Sequence, residues 1–192
     1  MGGRESMRVI AGSAKGRKLK TPFGASGLRP TSDKVREAVF DIIGPDILEA
    51  RFLDLFCGTG AVGIEALSRG ARAAVFVDSR SSAIDLLKEN LLRCGFEQNV
   101  EIMQCDALQA ISTLGNRQRR FEVIFMDPPY GSDLVTDVLA AIPSGDLLLP
   151  GTRVLVEHAA KRPVSDGVSG LVRHKEYRFG DTAITLFHCI EV

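Results

Sequence analysis

From Phe52 to His158 the chain alternates short apolar runs with helical periodicities. The runs are FLDLF (52–56), AAVFVD (73–78), VEIMQC (100–105), FEVIFMD (121–127) and TRVLVEH (152–158). Each is nearly continuous, the pattern of a strand covered on both faces of a parallel sheet. Between them lie AVGIEALSRG (61–70), a stretch carrying Ile84, Leu87, Leu91 and Cys94 that ends at Gly95, ALQAISTLG (107–115) and SDLVTDVLAAI (132–142), all read as helices. Strand–helix alternation of this regularity predicts a doubly wound α/β sheet. The C-terminus differs. LVRHKEYRF (171–179) and TAITLFHCIEV (182–192) read as two strands joined across Gly180-Asp181. A glycine-first two-residue loop favours a tight hairpin, so the sheet finishes with an antiparallel strand, seven strands in all.

The N-terminal part has its own pattern. RVIAGSAKGRKLKTP (8–22) reads as a small β-hairpin around a glycine-rich turn, and GASGL (24–28) as loop. Thr31 or Ser32 can cap a helix whose apolar face is Val35, Ala38, Val39, Ile42 and Ile43, with Gly44-Pro45 as its stop. Residues 1–6, MGGRES, read as a remnant or an alternative start, with Met7 as the natural first residue.

Composition narrows the class. At 192 residues the chain suits one domain or a domain with an appendage. No apolar run approaches the length of a membrane span, and the start lacks a signal peptide's apolar core, so a cytoplasmic protein with no membrane partner is expected. Cys57, Cys94, Cys105 and Cys189 form no CxxC pair, and His158, His174 and His188 have no ligand spacing. The expectation is therefore no metal and no disulfide. The 24 basic and 24 acidic residues balance, but unevenly along the chain. From Arg8 to Arg36 stand Arg8, Lys15, Arg17, Lys18, Lys20, Arg29, Lys34 and Arg36, opposed by Asp33 alone. A neutral total therefore does not rule out a nucleic-acid partner, because binding depends on where the charge sits. NRQRR (116–120) is a second basic loop, at the sheet's opposite end by strand polarity.

Candidate chemistry gathers where strands end. DLFCGTGAVG (54–63) contains Gly58-x-Gly60-x-x-Gly63, and Asp78 closes the second strand. That combination matches a dinucleotide fingerprint, so an NAD-type site has to be weighed. Against it, Asp54 sits within the strand before the loop, where a carboxylate meets a cation well and a pyrophosphate poorly. Asp106 adds a third acid after the third strand. The array suits S-adenosylmethionine, which carries an ammonium, a sulfonium, a ribose diol and an adenine amine. Asp54 would lie near the amino-acid end, Asp78 at the ribose and Asp106 at the adenine. The candidate cofactor-contacting set is Asp54, Phe56, Cys57, Gly58, Thr59, Gly60, Asp78, Ser79, Asp106 and Ala107.

After the fourth strand comes Asp127-Pro128-Pro129-Tyr130. DLFCGTG together with DPPY resembles the motif pair of amino-group S-adenosylmethionine methyltransferases. VIAGSAKGRKL and RPTSDKVREAVFDII narrow the resemblance to the RsmD family, over nearly the whole chain from Met7. That resemblance implies a Rossmann-like methyltransferase domain at 51–192 and a basic RNA-guiding extension at 7–50. It implies methylation of the exocyclic N2 of a guanine in 16S ribosomal RNA, bare or within a partly assembled small subunit, by a monomeric enzyme. DPPY also serves enzymes that act on adenine N6, cytosine N4 or glutamine side chains. A catalytically silent RNA-binding module and a dinucleotide-dependent oxidoreductase are the alternatives of other classes.

The physical reading of the motif is independent of the family. An exocyclic amine is a poor nucleophile because its lone pair is delocalised into the ring. Hydrogen bonds to Asp127 and to the Pro128 carbonyl would favour a pyramidal nitrogen. Pro128 and Pro129 fix φ and preorganise those acceptors. Tyr130 offers a face for the target base, a stack worth roughly 1–3 kcal/mol. Lys15, Arg17, Lys18, Lys20, Arg29, Lys34 and Arg36 are the candidate RNA contacts. By resemblance, Arg29 and Thr31 also close over the cofactor.

Overall fold

The computed structural model describes residues 7–21, 32–129 and 134–189. One eight-stranded sheet runs in the order β3-β2-β1-β4-β5-β8-β7-β6. Its strands are β1 (Arg51–Asp54), β2 (Ala73–Val77), β3 (Val100–Met103), β4 (Phe121–Met126), β5 (Leu148–Ala159), β6 (Gly167–Val168), β7 (Leu171–Phe179) and β8 (Thr182–Cys189). The first five are parallel, and β8 lies antiparallel between β5 and β7. Helices α1 (Asp33–Ile43), α2 (Ala61–Ser68), α3 (Ser81–Cys94), α4 (Ala107–Asn116) and α5 (Leu134–Ser144) cover it. The doubly wound α/β expectation holds, with its C-terminal antiparallel strand and a two-residue hairpin loop that pairs Phe179 with Thr182.

Four details differ from the reading of the sequence. The sheet has eight strands, because the two-residue β6 adds an edge too short to carry a periodicity. Gly44-Pro45 stops α1 as expected, but the chain then passes directly into a 3-10 turn over Gly44–Ile47 that the pattern did not include, for which proline's fixed φ is well suited. Helix α5 runs through Pro143 to Ser144, within its final turn. At the N-terminus the two expected strands reduce to a single bridge, Arg8 to Lys18, around a loop closed by Val9 N–H to the Arg17 carbonyl at 2.9 Å.

Two apolar layers sandwich the sheet. One face packs Leu53, Val75, Ile124 and Val154 under α4 and α5. The other packs Phe52, Phe76, Val123, Phe125 and Leu155 under α1, α2 and α3, and this core also takes Met7, Val9, Ala14 and Leu19. The basic N-terminal segment is therefore seated by four buried apolar side chains in the core of the sheet domain itself. Ser32 caps α1 by accepting the Val35 amide at 3.3 Å.

Strand order reverses between β1 and β4, and ligands of doubly wound sheets sit beyond the carboxyl ends at such a point. Asp54 closes β1 there, and Asp127 follows β4 there. In register Asp54 lies opposite Phe125, two residues before Asp127. Phe52, Val123 and Phe125 share one core, so the period-two alternation carries Asp54 and Asp127 toward the same face.

Candidate active site at the carboxyl edge

The glycine loop turns immediately after Asp54. Its three glycines have three different reasons. A Cβ on Gly63 would stand 2.3 Å from the Phe76 ring, and one on Gly60 2.2 Å from Leu87 Cδ1. Those two let α2 and its loop lie against β2 and α3. Gly58 has φ of +51° and nothing within 4 Å of a Cβ, so its exposed side opens onto free space. Of the two glycines in the candidate cofactor set, Gly58 leaves open space at its Cα, while Gly60 is required by packing. Phe56 is partly buried, whereas Cys57 and Thr59 are buried. Burial among acids pushes the Cys57 thiol well up, so it is no nucleophile.

Asp54 is 1% exposed. Its Oδ2 accepts the Gly63 amide at 3.2 Å, and its Oδ1 is buried with no partner of hydrogen-bond geometry among the described residues. Burial pushes its pKa up to about 7. The Gly63 amide opposes this, the charges of Asp127 and Asp78 reinforce it, and the Phe56 amide opposes it more weakly. Asp127 and the glycine loop thus share one electrostatic environment. A buried carboxylate with an unmatched oxygen beside two further acids is costly for folding alone, the pattern expected of a functional position. The loop suits an anion badly. The Gly58 amide is taken by Asp78 at 3.0 Å, the Gly60 amide by the Cys57 carbonyl at 2.7 Å, and the Gly63 amide by Asp54. The amides that would cradle a pyrophosphate are spent on internal acceptors.

Asp78, 5% exposed, sits across the loop. Its Oδ1 accepts the Arg80 amide at 3.0 Å and Arg80 Nε at 2.9 Å, and its Oδ2 accepts Gly58 N–H and Arg80 Nη2 at 2.8 Å. Burial alone would raise its pKa, but these bonds outweigh it and hold the carboxyl below its usual range. Ser79 beside it is exposed. Asp106 caps α4 by accepting the Gln109 amide at 2.8 Å and is exposed, with Ala107 buried behind it. Asp127 is half-buried, Pro128 buried and Pro129 exposed. Tyr130, Arg29 and Thr31 lie outside the described residues.

The basic segment divides. Lys15, Arg17, Lys18, Lys20 and Lys34 are exposed. Lys20 is ion-paired with Glu89, and Arg17 Nη1 reaches the Arg93 carbonyl at 3.4 Å. Arg36 corrects the sequence reading. It is 0% exposed and donates Nη2 to the Arg8 carbonyl at 2.5 Å and to Asp33 at 2.9 Å, with Nε 3.8 Å from Glu65. It faces inward because it is on the helix face that meets the N-terminal loop, and it has no surface to offer RNA. The second basic loop is also internally balanced. Arg117 and Arg119 bind Glu101, and Arg120 binds Asp146.

Three residues that shape the site were missed. Glu65, 1% exposed, accepts the Ile10 amide at 2.8 Å, the Ala11 amide at 2.9 Å and Arg69 Nε at 2.8 Å. Asn90 accepts the Lys20 amide at 2.7 Å and donates to the carbonyls of Lys20 and Thr59 at 3.1 Å and 2.9 Å. It thereby ties the basic segment to the glycine loop. Arg80 is the third. A charge or an amide on an otherwise apolar helical face was the available signal for Glu65 and Asn90.

The sheet order, the glycine loop and the acids of the carboxyl edge define a Rossmann-like methyltransferase. More narrowly, the chain belongs to the family described as conserved hypothetical protein 95, whose model matches residues 7–188, and the RsmD resemblance of its motifs is borne out. YlbH of Bacillus subtilis, described provisionally as an rRNA methyltransferase, is 38% identical over 181 residues, covering 94% of this chain and 98% of that one. Ribosomal RNA small subunit methyltransferase D of Haemophilus influenzae is 32% identical over 183 residues, covering 90% and 93%. Among solved structures, yhhF of Escherichia coli, described provisionally as a methyltransferase, superposes with a TM-score of 0.84 at 29% identity, covering 96% and 98%.

Proposed function

We propose that this chain uses S-adenosylmethionine to methylate the exocyclic N2 of a guanine in small-subunit ribosomal RNA. The observation that carries the reading is the meeting of Asp54, with its unmatched buried oxygen, and Asp127 across the β1–β4 switch point. The relatives named for rRNA methylation support the RNA and the class of reaction. The motif chemistry supports an amine acceptor.

The residues present fit such a cofactor. Asp54 would hold its cationic amino-acid end, Gly58 gives it room, and Asp78 and Asp106 lie at the next two strand ends for the ribose and adenine. When bound, it supplies a methyl group already activated on a sulfonium. What the chain itself must do is place an amine. Asp127 and the Pro128 carbonyl accept the amine's hydrogens and hold its lone pair away from the ring. Pro128, buried, keeps that carbonyl in place. Alignment of this kind lowers a barrier by up to roughly 7–11 kcal/mol, so no covalent nucleophile is required. Tyr130 would stack the extruded base. Lys15, Arg17, Lys18 and Lys34 present positive charge for phosphates, and we assign residues 7–50 as the RNA guide on that basis.

The test is chemical. The purified chain, labelled S-adenosylmethionine and small subunits from cells lacking this enzyme are incubated, and the RNA is digested to nucleosides. N2-methylguanosine is the expected product. Label on adenine N6 or cytosine N4, or no label in RNA, would overturn the assignment.

A further inference from the structure

An ionised carboxylate offers about four acceptor positions, two on each oxygen. Asp78 has all four filled within the chain. Two of the donors are backbone amides, of Gly58 and Arg80, fixed by the loop and by the start of α3. The other two are Nε and Nη2 of the Arg80 guanidinium, one on each oxygen, at 2.9 Å and 2.8 Å. A ribose presents two adjacent hydroxyls that would seek the same two oxygens. The planar fork and the vicinal diol are therefore alternative donors to one acceptor pair.

We infer that Arg80 is an internal stand-in for the cofactor's ribose diol, holding Asp78 until the diol displaces its guanidinium. This inference rests on the methyl-donor reading above. The exchange conserves hydrogen bonds, two N–H for two O–H, and leaves the two backbone donors in place. Its movable partner is on the solvent side. The Arg80 side chain is 45% exposed against 4% for Asp78, and among the described residues its guanidinium makes no other hydrogen bond. Released, the guanidinium can be hydrated at little cost. A ligand with adenine but no diol does not displace the guanidinium, so the competitor lowers affinity only for ligands that carry the diol. It also keeps a buried carboxylate satisfied in the empty protein.

The experiment titrates S-adenosylhomocysteine, adenosine and 2′,3′-dideoxyadenosine against the native chain, Arg80→Ala and Arg80→Lys, with thermal unfolding as a check on folding. Removal of the competitor is expected to tighten S-adenosylhomocysteine and adenosine about two- to fivefold, the range a half-exposed ion pair sustains. Dideoxyadenosine should be unchanged. Arg80→Lys should fall between, since an ammonium cannot span both oxygens as a fork does. Unchanged or weaker adenosine binding by folded Arg80→Ala and Arg80→Lys would overturn the inference alone. Failure of the native chain to bind S-adenosylhomocysteine would overturn it together with the methyl-donor reading.

Discussion

The two ends of the sheet treat charge in opposite ways. At the amino edge opposite charges meet in pairs: Arg51 with Glu122, Arg117 and Arg119 with Glu101, Arg120 with Asp146, and Arg153 with Asp46. At the carboxyl edge three acids are brought together, although Asp78 among them is itself ion-paired with Arg80. Asp54, Asp78 and Asp127 are near enough for the latter two to disfavour ionisation of the first. Folding alone gains nothing from that grouping, and desolvation makes it costly. The amino edge neutralises its charges within the chain, and the carboxyl edge leaves Asp54 in an environment that disfavours its ionisation, as a site for the proposed cationic cofactor would. The same contrast separates the basic residues. Arg36 has been drawn into the structure, while Lys15 and Lys18 remain outside it.

The largest effect should come from Asp127. Asp127→Ala is expected to cut methyl transfer about a hundredfold or more while S-adenosylhomocysteine still binds, because an amine misplaced by an ångström loses that much. Rate and affinity measured separately check it, and retained methylation would remove Asp127 from the mechanism. Next comes Arg36. Arg36→Ala should destabilise the fold by roughly 3 kcal/mol in denaturant, as losing one partner of a buried ion pair does, and leave the salt dependence of RNA binding in the folded variant unaltered. An altered salt slope without loss of stability would return Arg36 to the RNA surface.

A smaller effect is expected on the exposed face. Neutralising Arg17, Lys18 and Lys20 together should lower the slope of log affinity against log salt by about two rather than three, since Lys20 already has Glu89. Stability should hardly change. The subtlest comparison is within the glycine loop. Gly58→Ala should cost stability only about 1 kcal/mol, for a left-handed φ, yet weaken cofactor binding. Gly60→Ala should mainly damage folding, by driving a methyl into Leu87. Equal effects of the two substitutions on cofactor affinity would erase the distinction drawn between them.

Much of this was legible in the one-dimensional pattern, for definite reasons. Parallel strands covered on both faces announce themselves as continuous apolar runs, so FEVIFM and its companions could be placed. The ends of those strands then placed Asp54, Asp78, Asp106 and Asp127 along the carboxyl edge, of which Asp54, Asp78 and Asp127 are electrostatically linked. What escaped depends on contacts between distant segments. Arg36 looked like one base in a run, and only the seating of the 7–21 loop against Glu65, 55 residues from Ile10, makes it internal. Asn90 is likewise silent until Lys20 and Thr59 are brought to it. The filling of Asp78 by Arg80, two residues away, was local, but the motif suggested a ligand there and concealed the competitor. Strand β6 was too short to have a period at all.

Asp54 is where the proposed role of the carboxyl edge, as an acid site for a cationic cofactor, is most directly tested. Its folded pKa of about 7 lies above the ordinary carboxyl value of 3.8. The stability this group contributes is therefore complete below the unfolded pKa and is lost as pH rises through about 7. A bound cation should reverse the shift and expel the proton. Calorimetric titration of S-adenosylmethionine near pH 6.5, repeated in buffers of different ionisation enthalpy, should show release of a substantial fraction of a proton by the native chain and none by Asp54→Asn, which should also bind more weakly. Equal proton release by both proteins, or tight binding with none, would contradict the account.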